Sequence, residues 1–206
     1  SDLPTITVPA DVTYNVVKVD MATGEAEADT SFVGSSGSSV VYMAEENIYI
    51  SYSYPGDLLS LVYDFMQENS GLFPASLVEK ISKVRSYDLS EPAKYTELYT
   101  ILEEYGRSLS KDEKLKFENE TQDRATEFAK EHSRDFASTG IVKIATSDLM
   151  PVANGTIPGV VLNQFSLDEY NGYLRIASTS DGSFFGLGMS TGAEILSLND
   201  VYILDG

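Results

Sequence analysis

The sequence contains no cysteine, no tryptophan and a single histidine, His132. Without cysteine there is no disulfide framework, no Cys-ligated zinc and no thiol nucleophile, and the redox compartment is left open. One histidine removes most His-based catalytic constellations, and His132 reads as part of an apolar helix face rather than as a base or ligand. Basic residues are scarce too: 14 Lys plus Arg stand against 32 Asp plus Glu, a formal net charge of −18 over 206 residues. Such a surface repels phosphate backbones and anionic lipid, which argues against nucleic acid as a partner. The same acidity suits plain solvation or attraction of divalent cations. No apolar run approaches the ~18 residues that a membrane-spanning helix needs. No signal peptide is visible, which an exported chain read without its leader would also show.

An apolar share of 42% is enough for a buried core. Periodicity divides the chain into three blocks, 1–54, 55–138 and 139–206. In the first, Tyr14, Val16, Val17 and Val19 form a β-branched run, Met21 to Gly24 a turn, and Glu25 onward a return strand. A loop at Ser35 to Ser38 precedes a second hairpin, Val40 to Met43 and Ile48 to Tyr52, joined through Glu45, Glu46 and Asn47. The middle block changes to helical period. Leu58, Leu59, Leu61, Val62, Phe65 and Met66 share one helix face that Asp57 can cap. Pro74 suits the first turn of a second helix. Ser90 and Pro92 open a third, with Gly106 as its stop, and Ser110 with Glu113 forms a capping box for a fourth.

Strands resume from Thr139. Gly140 to Ala145 is one, and Pro158 and Gly159 punctuate the stretch that follows. The sharpest local signal is Asn171-Gly172 between Phe165–Tyr170 and Tyr173–Ala177, since Asn-Gly favours the positive φ of a type I′ hairpin turn. Asp181 to Leu198, rich in Gly and Ser around Phe184-Phe185, reads as a long loop. Val201 to Asp205 resembles Val16 to Asp20, where a turn and a return strand follow, so a further hairpin is expected to begin there. About eight strands amount to two four-stranded blades, and closure of a propeller ring needs at least four.

These residues resemble a known family: archaeal and bacterial secreted proteins with a β-propeller domain distantly related to WD repeats. The resemblance is carried by Asn47 to Ile50, by the helical block with Ser110 to Glu113, by Thr139 to Ile144 and by Asn199 to Asp205. Its most specific part is the run Ile157 to Ala177. It implies an exported, cell-surface or extracellular protein of archaeal type, with helices inserted between propeller strands. It carries no activity that transfers residue by residue.

The expected fold class is therefore α+β: antiparallel propeller-type strands, about two blades' worth, interrupted by a four-helix insertion, with 1–54 and 139–206 packing as one domain. Candidate ligand-binding residues are Asn163, Gln164, Asp168 and Arg175. Asp168 and Glu169 are neighbours on a strand and so point to opposite faces, a poor arrangement for a cooperating acid pair. Asp181 and Asp200, with Ser183, supply oxygen atoms for a Ca2+ site, but no EF-hand loop pattern accompanies them. The glycines from Gly182 to Gly192 lack the spacing and following helix of a phosphate loop. The 13 tyrosines offer either a recognition platform or ordinary core packing. Asn119-Glu120-Thr121 and Asn154-Gly155-Thr156 fit the glycosylation pattern.

Two functions follow as expectations. One is a non-enzymatic extracellular module that binds or scaffolds a protein or glycan, with self-association through exposed strand edges. The other is a hydrolase of surface glycans or peptides that works through paired carboxylates.

Overall fold

The computed structural model describes residues 10–181 and 197–205. Strands β1 (Val12–Val19), β2 (Ala26–Gly34), β3 (Ser39–Met43) and β4 (Asn47–Pro55) come first. Helices α1 (Leu58–Glu68), α2 (Ala75–Ser86), α3 (Glu91–Ser108) and α4 (Lys111–Glu131) follow. The chain then returns to β5 (Ala137–Ala145), β6 (Pro151–Pro158), β7 (Leu167–Tyr170), β8 (Tyr173–Asp181) and β9 (Ser197–Asp205). The class is α+β, without a closed barrel. The described strands number nine rather than eight. They form a two-stranded sheet β1-β2, a four-stranded sheet β3-β4-β5-β6 and a three-stranded sheet β7-β8-β9.

The strands compose one compact unit and the helices Gly56–Phe136 belong to another. Within the strand unit the central strands of the four-stranded sheet, β4 and β5, are buried on both faces. Its β4 carries Tyr49, Ser51 and Ser53 on one face and Ile50, Tyr52 and Tyr54 on the other, as period-2 alternation requires. Tyr49, Ile141 and Ile157 pack against Leu167, Leu174 and Ile176 of the β7-β8-β9 sheet. On the opposite face Ile50, Ile144 and Leu149 meet Tyr14, Val16, Ala28 and Phe32 of the β1-β2 hairpin. Rings of Tyr14 and Phe32 stack 5.1 Å apart, and Tyr14 stacks on Tyr52 at 5.8 Å. Three sheets thus lie face upon face, each interface made by alternate residues of its strands.

Pro55 and Ala137 are direct register partners, so the chain leaves the four-stranded sheet between its two central strands and re-enters at the adjacent position. Gly56 donates its N–H to Phe136 O at 2.8 Å, and any Cβ there would collide with the Asp135 carbonyl, so the closely approached backbone requires glycine.

The helices form as their caps and apolar stripes direct. Asp57 accepts the Ser60 N–H at 2.9 Å. The Ser110–Glu113 capping box is complete in both directions. Leu59, Phe65, Ile81, Leu98 and Phe128 are each at most 2% exposed and share one core. Gly106 does not stop α3, which continues to Ser108. Its φ is not positive, so the residue weakens the helix by roughly 1 kcal/mol without ending it.

One further reading is corrected. Phe165 and Ser166 are not strand but lie in the 3-10 turn Gln164–Ser166, which leaves Phe165 87% exposed. Asn154 and Gly155 sit inside β6, an edge strand where Pro151 and Pro158 are tolerated because its outer N–H groups need no ladder partner. Asn171 and Gly172 do take positive φ, 52° and 81°, and close β7 onto β8. Of the loop read between Asp181 and Leu198, the ends Asp181, Ser197 and Leu198 are strand, and residues 182–196, with Ser183 and Phe184-Phe185, lie outside the described residues.

Candidate functional site

Among the described residues, the carboxylate of Glu169 gathers several polar partners between two sheets. In β7, Leu167 is buried and Glu169 follows it on the same side, turned toward the four-stranded sheet. Asn47 Nδ2 donates to both Glu169 oxygens at 3.1 Å, and the Tyr49 hydroxyl donates to one of them at 2.9 Å. The Glu169 backbone N–H in turn donates to the Tyr42 hydroxyl at 3.1 Å. Tyr42 and Tyr49 stack at 6.0 Å, and the Lys143 ammonium stands 5.7 Å from the Tyr49 ring centroid. Burial, helped by the hydrogen bond to Glu169 and by its negative charge, pushes the Tyr49 phenol well above the ordinary tyrosine range. Tyr49 therefore remains a donor, and the cluster ties β3 and β4 to β7 across the sheet interface.

Asp168 points the other way. It is the register partner of Arg175 and forms an ion pair with it on the outer face of the sheet. The guanidinium lies 4.8 Å from the Tyr170 ring centroid. Adjacent carboxylates therefore serve two separate faces, and neither converges on the other.

The remaining candidates are dispersed. Asn163 accepts the Phe165 N–H at 2.9 Å and so caps the turn that carries exposed Gln164. No hydrogen bond joins either residue to Arg175 among the described residues. Asp200 accepts from the Tyr202 hydroxyl at 3.4 Å, and Asn199 beside it accepts from Thr179 Oγ1 at 2.8 Å. Asp181 closes β8. Among the described residues no three His, Asp or Glu side chains gather as a metal site. His132 stacks on Phe128 at 4.1 Å, with Nδ1 3.1 Å from Asp135 and Nε2 3.7 Å from Glu68. In the helical unit, Glu68, Asn69, Asp123, Arg124, Glu127, Phe128 and Glu131 border an open groove of about 290 Å³. Arg124 there donates to Asn69 at 3.3 Å.

Sequence reasoning missed the Glu169 cluster and the groove. Asn47 and Tyr49 share a face by alternation, which was readable. Their acceptor lies more than a hundred residues away, in a different sheet, and no local pattern announces it.

Comparison with known proteins gives a consistent lineage. The model of a family described as "Beta propeller domain" matches residues 3–206. An uncharacterized protein of Archaeoglobus fulgidus is 46% identical over 98% of this chain and 30% of its own length. Another, from Methanocaldococcus jannaschii, is 30% identical over 98% of this chain and 31% of its own length. The chain thus spans about a third of the curated relatives that it matches. No solved structure matches. With stacked antiparallel sheets and a family match across nearly its whole length, the chain belongs to the beta-propeller domain family.

Proposed function

We propose that this chain is a non-catalytic module that binds or scaffolds a protein or glycan outside the cell or at its surface. The observation that carries this reading is the division of labour at Asp168 and Glu169. One carboxylate is paired with Arg175 on the outside and the other is held by Asn47 and Tyr49 between sheets. Glycoside hydrolysis through two carboxylates needs them to face each other across a bond at about 5 to 9.5 Å. What remains for recognition is the exposed surface, which on a rigid sheet scaffold is where loops and turns act. Asn119 and Asn154 of the two Asn-x-Thr sequences are both exposed, as an exported glycoprotein would need. The outer edges of β3 and β6 offer self-association a route.

Assays of the purified chain against panels of surface glycans and peptides test the first part. The reading expects no turnover that Asp168→Asn or Glu169→Gln removes. A turnover lost in either folded variant would establish the carboxylate-hydrolase alternative. Fractionation of the native organism, with mass analysis of the peptides around Asn119 and Asn154, tests the location.

A further inference from the structure

The four hairpin turns of the strand unit, β1-β2, β3-β4, β5-β6 and β7-β8, come together at one end. β3 runs from Ser39, opposite Tyr52, to Met43, opposite Ile48, so the β3-β4 turn lies at the Asn47 end of the sheet. Asn47 pairs with Ala145, which puts the β5-β6 turn, 146–150, at the same end. Only a four-residue connection separates the end of β2 at Gly34 from the start of β3 at Ser39. Tyr14 and Phe32 at that end of the hairpin contact Tyr52, which leaves the β1-β2 turn at the Asn47 end. Glu169 bonds Asn47, while Ser178 further along β8 bonds Pro158 at the opposite end, so the Asn171-Gly172 turn joins the group.

The residues at these turns have a shared character. The segments 19–26, 43–48, 145–151 and 169–173 contain six carboxylates and no Lys, Arg or His. Of these, Glu25, Glu45, Glu46 and Asp148 are exposed, and none of the four enters an ion pair among the described residues. Large apolar side chains stand exposed between them: Met21 at 94%, Met43 at 69%, Met150 at 60% and Tyr170 at 58%. Of the cations that flank these segments, Lys18 pairs with Glu27, Arg175 pairs with Asp168, and the Lys143 ammonium stands over the Tyr49 ring. Ordinary solvation explains the charges. It does not explain three exposed methionines, whose flexible, polarisable side chains adapt to varied apolar partners.

We infer that the turn end of the strand unit is a docking surface for a positively charged, partly apolar polypeptide segment, such as a Lys/Arg-rich amphipathic stretch of another protein. This rests on the binding-module reading above and names its partner class. Carboxylates at the turns steer and orient the cationic groups, and the methionine and tyrosine side chains cover the apolar ones. Charge complementarity favours this occupant over a glycan, which would supply no cations, and over a second copy of so acidic a chain.

The test is calorimetric titration of the whole chain with a Lys/Leu amphipathic peptide and with a Lys/Ser peptide of equal charge, at about 0.05 M and about 0.3 M salt. The expected result is tighter binding of the Lys/Leu peptide and weakening at the higher salt. Glu45→Gln/Glu46→Gln/Asp148→Asn should weaken binding about tenfold, and Met43→Ser/Met150→Ser should erase the preference for leucine. An equal charge removal in the helical unit, Asp88→Asn/Glu97→Gln/Glu104→Gln, should change affinity less than about twofold. Equal weakening by both charge variants would assign the binding to net charge and overturn the proposal, as would no binding of either peptide at low salt. The hydrolysis panel reads independently of all these outcomes, so failure of the docking surface and failure of the binding-module reading are separable.

Discussion

Removal of the Glu169 side chain is the most informative single perturbation of the sheet interface. Its carboxylate receives two donors, Asn47 Nδ2 shared between both oxygens at 3.1 Å and the Tyr49 hydroxyl at 2.9 Å. A hydrogen bond to a charged group contributes about 1.5 to 3 kcal/mol, with the lower end apt for a half-buried acceptor. In Glu169→Ala the Tyr49 hydroxyl loses its acceptor although the residue is only 2% exposed. The expected destabilisation is about 2 to 3 kcal/mol. Tyr49→Phe, which removes a donor but leaves the carboxylate its Asn47 bonds, should cost about 1 kcal/mol. Because the two residues share a bond, the double variant should fall short of the sum by about 1 kcal/mol. Urea unfolding followed by far-UV circular dichroism measures all four chains, the absence of tryptophan making indole fluorescence useless. Additivity within about 0.3 kcal/mol, or a Glu169→Ala loss below about 0.5 kcal/mol, would refute the tie between sheets.

Gly140→Ala tests the other interface. An added Cβ would stand 2.6 Å from Tyr52 Cζ and 2.7 Å from Cε2, so the ring must move against Tyr14 and Tyr54. The expected cost is about 1 to 3 kcal/mol, relieved in part when Tyr52→Leu is combined with it, as equilibrium unfolding would show. Base stability follows from Tyr49. Its phenol ionises at higher pH in the folded than in the unfolded chain, so its contribution is complete below about pH 10 and is lost as pH rises further, by about 1.4 kcal/mol per unit. Unfolding measured across that range should therefore be less steep in Tyr49→Phe, with residual slope from Tyr52, Tyr95 and Tyr105, which burial also raises.

Local signals were legible where local physics decides. The Asn171-Gly172 turn, the Ser110–Glu113 box and the Asp57 cap are all satisfied within a few residues of chain, and each reads directly from the sequence. Gly106 looks like a helix stop, but a glycine makes a C-terminal cap through a left-handed backbone, and here the helix continues through it. β6 escaped notice because Pro151, Asn154-Gly155 and Pro158 mimic loop chemistry, and only its edge position makes them compatible with a strand. Phe165, preceded by an Asn that caps its N–H, forms a turn although its hydrophobicity suggests a strand. The run Ile48 to Tyr52 reads as a hairpin strand, but nothing in it says what covers its two faces. The Glu169 tie and the gathering of turns at one end depend on pairing between residues far apart in sequence, which no window of the chain contains.

The central claim is that the strands form one self-sufficient unit of stacked sheets, into which the helices are inserted. Pro55 and Ala137 are register partners, so a two-residue Asn-Gly link between them could replace Gly56–Phe136 and convert β4 and β5 into an ordinary hairpin. Far-UV circular dichroism and urea unfolding of the shortened chain test this directly. The account predicts a β-rich spectrum without helical signal and a cooperative transition. A spectrum of unfolded chain, or loss of cooperativity, would contradict it.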